Sequence, residues 1–118
     1  MLTTDILSFF FTTYTQVHHT HHVTTSFSVH KALNTFYDEW DELTDTFIET
    51  YQGKYGRIEG TFSTEASSSI DIRAFITNVR SELYILNTQL AKEDTDLLNL
   101  VADMIGLCSH TLYMLSLN

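Results

Sequence analysis

Five of the six histidines in this 118-residue chain, His18, His19, His21, His22 and His30, fall between positions 18 and 30. His30 also opens a series, His30, Asn34, Asp38, Asp41, Asp45 and Glu49, whose steps of three and four place all six side chains on one face of a helix. Imidazole nitrogens and carboxylate oxygens together suit iron, zinc or manganese. Like charges at this spacing repel by roughly a few tenths of a kcal/mol per pair, so the stripe costs helix stability unless a cation or a basic partner lies against it. A solvated acidic face is the plain alternative, and the neighbouring histidines shift the balance towards a metal. His19 and His22 fit exposed polar positions better than ligand positions. His110, isolated near the end of the chain, fits a structural or solvated role.

The intervals carry a family resemblance. His18, His30, Asn34, Asp45 and Glu49 resemble the ferroxidase ligands of the Dps family of mini-ferritins: a histidine, a second twelve residues on, an aspartate four later, another eleven later and a glutamate four later. The segment HKALNTFYDEWDELTDTFIE is similar to the second helix of that family, and more so to short ferritin-like proteins encoded by tailed bacteriophages. The resemblance covers about the first 53 residues and departs at Asn34, where the family has aspartate. An asparagine coordinates only through its neutral carbonyl, which weakens binding. The ligand from the first helix is His18 by spacing. It is His21 by the His-aromatic-x-Thr pattern of the short relatives, which falls at His21-His22-Val23-Thr24. What the resemblance implies is a ferritin-like fold, iron as the metal, ferroxidase chemistry and a site between subunits, with Tyr37, Asp38, Trp40 and Asp41 around the ligands.

Geometry points to the same assembly. His30 and Asp45 are fifteen residues apart, about 22 Å along one helix, whereas ligands of one metal lie within about 5 Å of each other. They cannot share an ion within one chain. Antiparallel packing of two such helices about a two-fold axis near Asp38 brings His30 of one subunit to Asp45 and Glu49 of the other. A homodimer or larger homo-oligomer is therefore part of this reading, with Tyr37 and Trp40 as contacts beside the axis.

Positioning these groups requires long helices, and the sequence favours them. It has no proline and four glycines, three of them between Gly53 and Gly60. Ile6, Phe10, Tyr14, Val17 and His21 mark a first helix from Asp5 to about His22. Ser26 or Thr25 caps a second, striped by Val29, Leu33, Phe36, Trp40, Leu43 and Phe47 and ending near Gln52. Gly53-Lys54-Tyr55-Gly56 begins a connection to about Thr64 that is expected to cross one end of the bundle. A third helix is expected to start between Ser63 and Ser67 and to carry Ile72, Phe75, Ile76, Val79, Leu83, Leu86 and Leu90. After the Lys92–Thr95 turn, a fourth shows Leu98, Val101, Met104, Ile105, Cys108, Thr111, Leu112 and Leu115. The predicted architecture is one all-α domain over residues 1–118, an antiparallel four-helix bundle of the ferritin-like kind.

Fifteen acidic against six basic residues give a net charge of −9, which repels phosphate backbones, so no nucleic-acid partner is expected. No stretch approaches the ~20 continuous apolar residues of a membrane span, and no membrane partner is expected. Met1–Tyr14, with Thr3, Thr4, Asp5, Ser8, Thr12 and Thr13 and no basic flank, does not suit a signal peptide. Cys108, the one cysteine, suits a reducing compartment. The expected location is cytoplasmic, in the bacterial host if the protein is phage-encoded. Two rival readings are a non-enzymatic helical dimer serving as a phage accessory or interaction protein, and a transition-metal buffer built on His18 to His22 without redox chemistry.

Overall fold

Four helices account for most of the chain, α1 (Thr4–Val23), α2 (Phe27–Tyr55), α3 (Ile72–Gln89) and α4 (Thr95–Leu115). The computed structural model describes residues 4–117, so Thr3 of the opening segment and both extreme ends of the 1–118 span lie outside it. Among the described residues there is no strand.

Local chemistry sets the helix ends. Ser26 caps α2, its hydroxyl accepting from the Val29 N–H at 3.3 Å. Gly56, at φ +93°, ends the same helix and donates its N–H to the Gln52 carbonyl at 2.9 Å. The helix thus runs three residues past Gln52 and includes Gly53. The start of α3 lies well beyond the expected Ser63 to Ser67. There the carboxylate of Asp71 accepts from the N–H groups of both Arg73 and Ala74, at 3.1 and 3.2 Å, while the serines and threonines before it stay outside the helix. An ionised cap that satisfies two orphan donors outcompetes hydroxyls that bond their own backbone, as Ser67 does with the Ser69 N–H.

The connection over 56–71 does not cross one end of the bundle; it runs the length of α1. The Ser8 hydroxyl donates to the Ser63 carbonyl at 3.2 Å, and Phe11 stacks on Phe62 at 5.4 Å. Further along, the Gln16 carboxamide both donates to the Ser67 carbonyl (3.0 Å) and accepts from the Ser67 N–H (2.8 Å). The reason is directional. Lys54 at the end of α2 reaches Asp94 at the start of α4 (3.1 Å), Arg80 of α3 reaches Ser109 of α4 (3.1 Å), and the start of α3 lies at the C-terminal end of α1. Neighbouring helices are antiparallel, whereas α2 and α3 run the same way on opposite corners, so the chain must return along the bundle between them.

The predicted stripes form the core: Ile6, Phe10 and Val17, then Leu33, Phe36, Trp40 and Phe47, then Ile76, Val79, Leu83 and Leu86, then Val101, Met104, Cys108 and Leu115. In α4 the buried face is turned slightly from expectation. Leu97 and Leu107 are inside while Leu98, Ile105 and Leu112 are half-buried, because Leu97, Val101, Met104, Cys108, Thr111 and Leu115 repeat regularly at four and three. Among the described residues, α4 alone is long and apolar enough to cross a membrane; here its buried face packs against α2 and α3.

Trp40 requires a correction. It is fully buried, its indole N–H donates to the Phe10 carbonyl at 3.0 Å, and its ring meets Phe9 and Phe10 edge-on and Phe36 face-on. A side chain of the core stripe cannot also stand at a subunit surface, so Trp40 is no intersubunit contact.

Candidate metal centre

The last two turns of α1 and the first of α2 are joined by only three residues, 24–26. The link is fixed by Thr24 N–H to Thr20 carbonyl (3.0 Å), Ser26 N–H to Thr24 hydroxyl (3.2 Å) and His30 N–H to Ser26 carbonyl (3.0 Å). His18, His21 and His22, at steps of three and one, share one face of α1, and the tight link sets His30 against them.

His21 is the centre of the group. It is only 5% exposed, yet neither ring nitrogen has a hydrogen-bond partner, and among the described residues no other buried side-chain nitrogen or oxygen is left in that state. Leaving a buried polar group unpaired costs about 1–3 kcal/mol, so the arrangement calls for a partner. Burial lowers the pKa of His21 from its ordinary value, and His30, His22 and His18 lower it further, against a smaller opposing pull from Asp38. The ring is neutral near pH 7, the state in which imidazole binds metals.

Each neighbour is oriented. His30 stacks on His21 with ring centroids 3.8 Å apart, and its Nδ1 lies 3.0 Å from the His21 carbonyl oxygen. A carbonyl only accepts, so Nδ1 donates, which leaves Nε2 as the ring nitrogen that could turn to a ligand. His18 Nε2 and His22 Nε2 are 3.1 Å apart, and one ligand atom from each of His18, His21 and His22 falls within 4.8 Å of the others. The Tyr37 ring packs against His18 and His21 at 4.5 and 5.1 Å, and its hydroxyl donates to Asn34 Oδ1 at 2.8 Å. Tyr14 leans on both His18 and Tyr37; burial raises the pKa of its hydroxyl, with Asp41, Tyr37 and Asp38 adding to the rise.

Of the residues singled out from the sequence, His18, His21, His30, Asn34 and Tyr37 come together at this end of the bundle. Asp38 and Asp41 sit near it on exposed positions of α2, while Asp45 and Glu49 lie exposed further down the same helix. His19 bonds Ser68 on the connection at 2.8 Å, and His110 is exposed on α4. His22 is exposed, as expected, but it belongs to the cluster; its step of four from His18 was the available signal. Tyr14, four residues before His18, could have been found the same way. Cys108 offers no chemistry here: burial pushes its thiol up to about 12, and it lies in the core.

No curated protein and no solved structure matches this chain. Residues 21–115, from His21 to the end of α4, match the model of a family of unknown function, DUF5856, and the chain belongs to that family.

Proposed function

We propose that the protein binds iron at the α1–α2 end of the bundle in the manner of a mini-ferritin, with zinc or manganese as alternative ions. The observation that carries this reading is the buried, unpaired His21 stacked on a His30 whose Nδ1 is committed to the His21 carbonyl. The substrate is ferrous iron; each ion gives up one electron, so two ions and two protons reduce one peroxide to two waters, oxygen being the alternative acceptor, and the histidine and carboxylate donors favour the harder ferric product. His30 with His21 or His18, and Asn34, belong to one subunit. Asp45 and Glu49 come from a two-fold mate, because along α2 they are too distant to join His30 in one chain. Supporting the ferritin-like assignment is the topology, antiparallel neighbours with a single lengthwise crossover between the second and third helices, an arrangement that ferritin-like bundles share.

Anaerobic calorimetry with ferrous iron tests it. Asp45→Ala with Glu49→Ala should abolish the binding heat and leave the helical content intact, and Asn34→Asp should tighten binding by restoring a charge. Ferrous heat that does not depend on Glu49 sinks the intersubunit site. The second reading, a non-enzymatic helical dimer acting as a phage accessory or interaction protein, is favoured by Asn34 itself: its Oδ1 already accepts the Tyr37 hydroxyl.

A further inference from the structure

Three of the histidines meet the requirements of a metal site without any partner subunit. We infer that His18, His21 and His22 form an all-imidazole site for a divalent transition ion, complete within one chain; it shares an α1 histidine with the intersubunit site but differs from it in using His22 and no carboxylate.

Two nitrogens bound to one tetrahedral ion at 2.0–2.1 Å lie about 3.3 Å apart. His18 Nε2 and His22 Nε2 already stand at 3.1 Å, and His21 brings a nitrogen within 4.8 Å of both, a distance that rotation of the rings would have to shorten on binding. All three residues lie on consecutive turns of one helix, so the backbone holds them without help from outside. An ion held between these two nitrogens would also take up a nitrogen of His21 that nothing else satisfies.

The surroundings preorganise the triad and leave it open. His30 lies flat against His21 and bonds its carbonyl, and Tyr37 buttresses His18 and His21 while its own hydroxyl is committed to Asn34. Among the described residues no carboxylate or thiolate is bonded to the three rings. Three neutral nitrogens favour ions of the zinc, copper and nickel type over calcium or magnesium. His22 is exposed, so the fourth position faces solvent and suits an exchangeable ion, as in a buffer.

Zinc chloride titrated into the untagged full-length chain, followed by calorimetry and by competition with a chromogenic chelator, tests the site. One zinc per chain is expected for the native protein and for the Asp45→Ala, Glu49→Ala double variant. His18→Ala and His22→Ala should each weaken binding by at least about tenfold, since losing a direct ligand costs no less than losing a residue behind one. Both positions are at least partly exposed, so circular dichroism without metal should match the native protein. The inference is overturned if zinc does not bind, if the two histidine variants bind like the native chain, or if binding occurs at one ion per two chains and vanishes in the carboxylate variant. Zinc binding that survives the carboxylate substitutions, beside ferrous binding indifferent to them, upholds the triad and removes only the intersubunit reading.

Discussion

His21 and His30 lie face to face, 3.8 Å between ring centroids and 22° from parallel, with His30 Nδ1 donating to the His21 carbonyl. The stack keeps water from His21 while giving its ring nitrogens nothing in exchange. Stability should therefore depend on pH. The folded pKa of His21 is depressed, so below its ordinary value of about 6.5 the unfolded chain takes up a proton that the folded chain resists. Stability should be constant above that value and fall as pH drops from 6.5 towards the folded pKa. The carboxyls of Asp94 and Asp96, held low chiefly by bonds from Tyr55 and Lys54 respectively, lose their contribution only on falling below 3.8, so they add no slope in this window. Thermal melts in chelator at pH 7.5 and 5.5 check the slope; equal midpoints would refute it.

Replacing the same histidine by an apolar residue should help the metal-free fold. His21→Leu removes the unsatisfied nitrogens and should stabilise by about 1 kcal/mol, or about 4 °C in Tm. It should also flatten the pH dependence and abolish zinc binding. A destabilised variant would mean that the ring packs better than its polar atoms suggest.

Trp40 joins α1 to α2 through its bond to Phe10 and its contacts with Phe9, Phe10 and Phe36. Trp40→Ala should cost about 3–5 kcal/mol in urea denaturation, the usual loss for a buried aromatic. A loss below about 1 kcal/mol would contradict its place in the core.

The bond pair between Gln16 and Ser67 predicts where the chain opens first. Gln16→Ala removes both bonds, each worth about 1 kcal/mol at most sites, from a connection that has no secondary structure of its own. Limited proteolysis between residues 57 and 70 should accelerate several-fold while the four helices persist. Gly60→Ala should act similarly, because φ there is +138° and a Cβ would stand 2.7 Å from Thr4 Cγ2. Unchanged cleavage rates in both variants would show that the connection is held elsewhere.

Cys108 should be inert. With no exposed surface and a thiol pushed up to about 12, it should react with a thiol reagent only as fast as the protein opens. Rapid labelling of the native chain would count against the burial of this face of α4.

The helices themselves were legible because each has a stripe that can be buried only against the others. Their ends were less so. Several hydroxyls between Ser63 and Ser67 offered to start α3, and only the competition won by Asp71, which satisfies two N–H groups at once, decides the matter. The path of the connection is invisible locally, since it follows from α2 and α3 running the same way, a property of the packed whole. At the site, spacing brings out His18 and His30, and the His-aromatic-x-Thr pattern brings out His21. Weighed singly, His22 looked like surface, and only its position one turn from His18 gives it a ligand's chance. Trp40 belonged to two patterns at once, and burial chose between them.

The lengthwise connection bears on how the protein reaches its fold. It divides the chain into two helical hairpins, α1–α2 and α3–α4, each closed by a short turn and so able to pair from nearby residues. Their union then depends on a tether. For a flexible tether, doubling the length costs only about 0.6 kcal/mol in closure entropy. The hairpins should therefore tolerate insertions in 56–71 wherever these spare Phe62, Ser63, Ser67 and Ser68, and the histidine end, which lies wholly within the first hairpin, should assemble before the second hairpin docks.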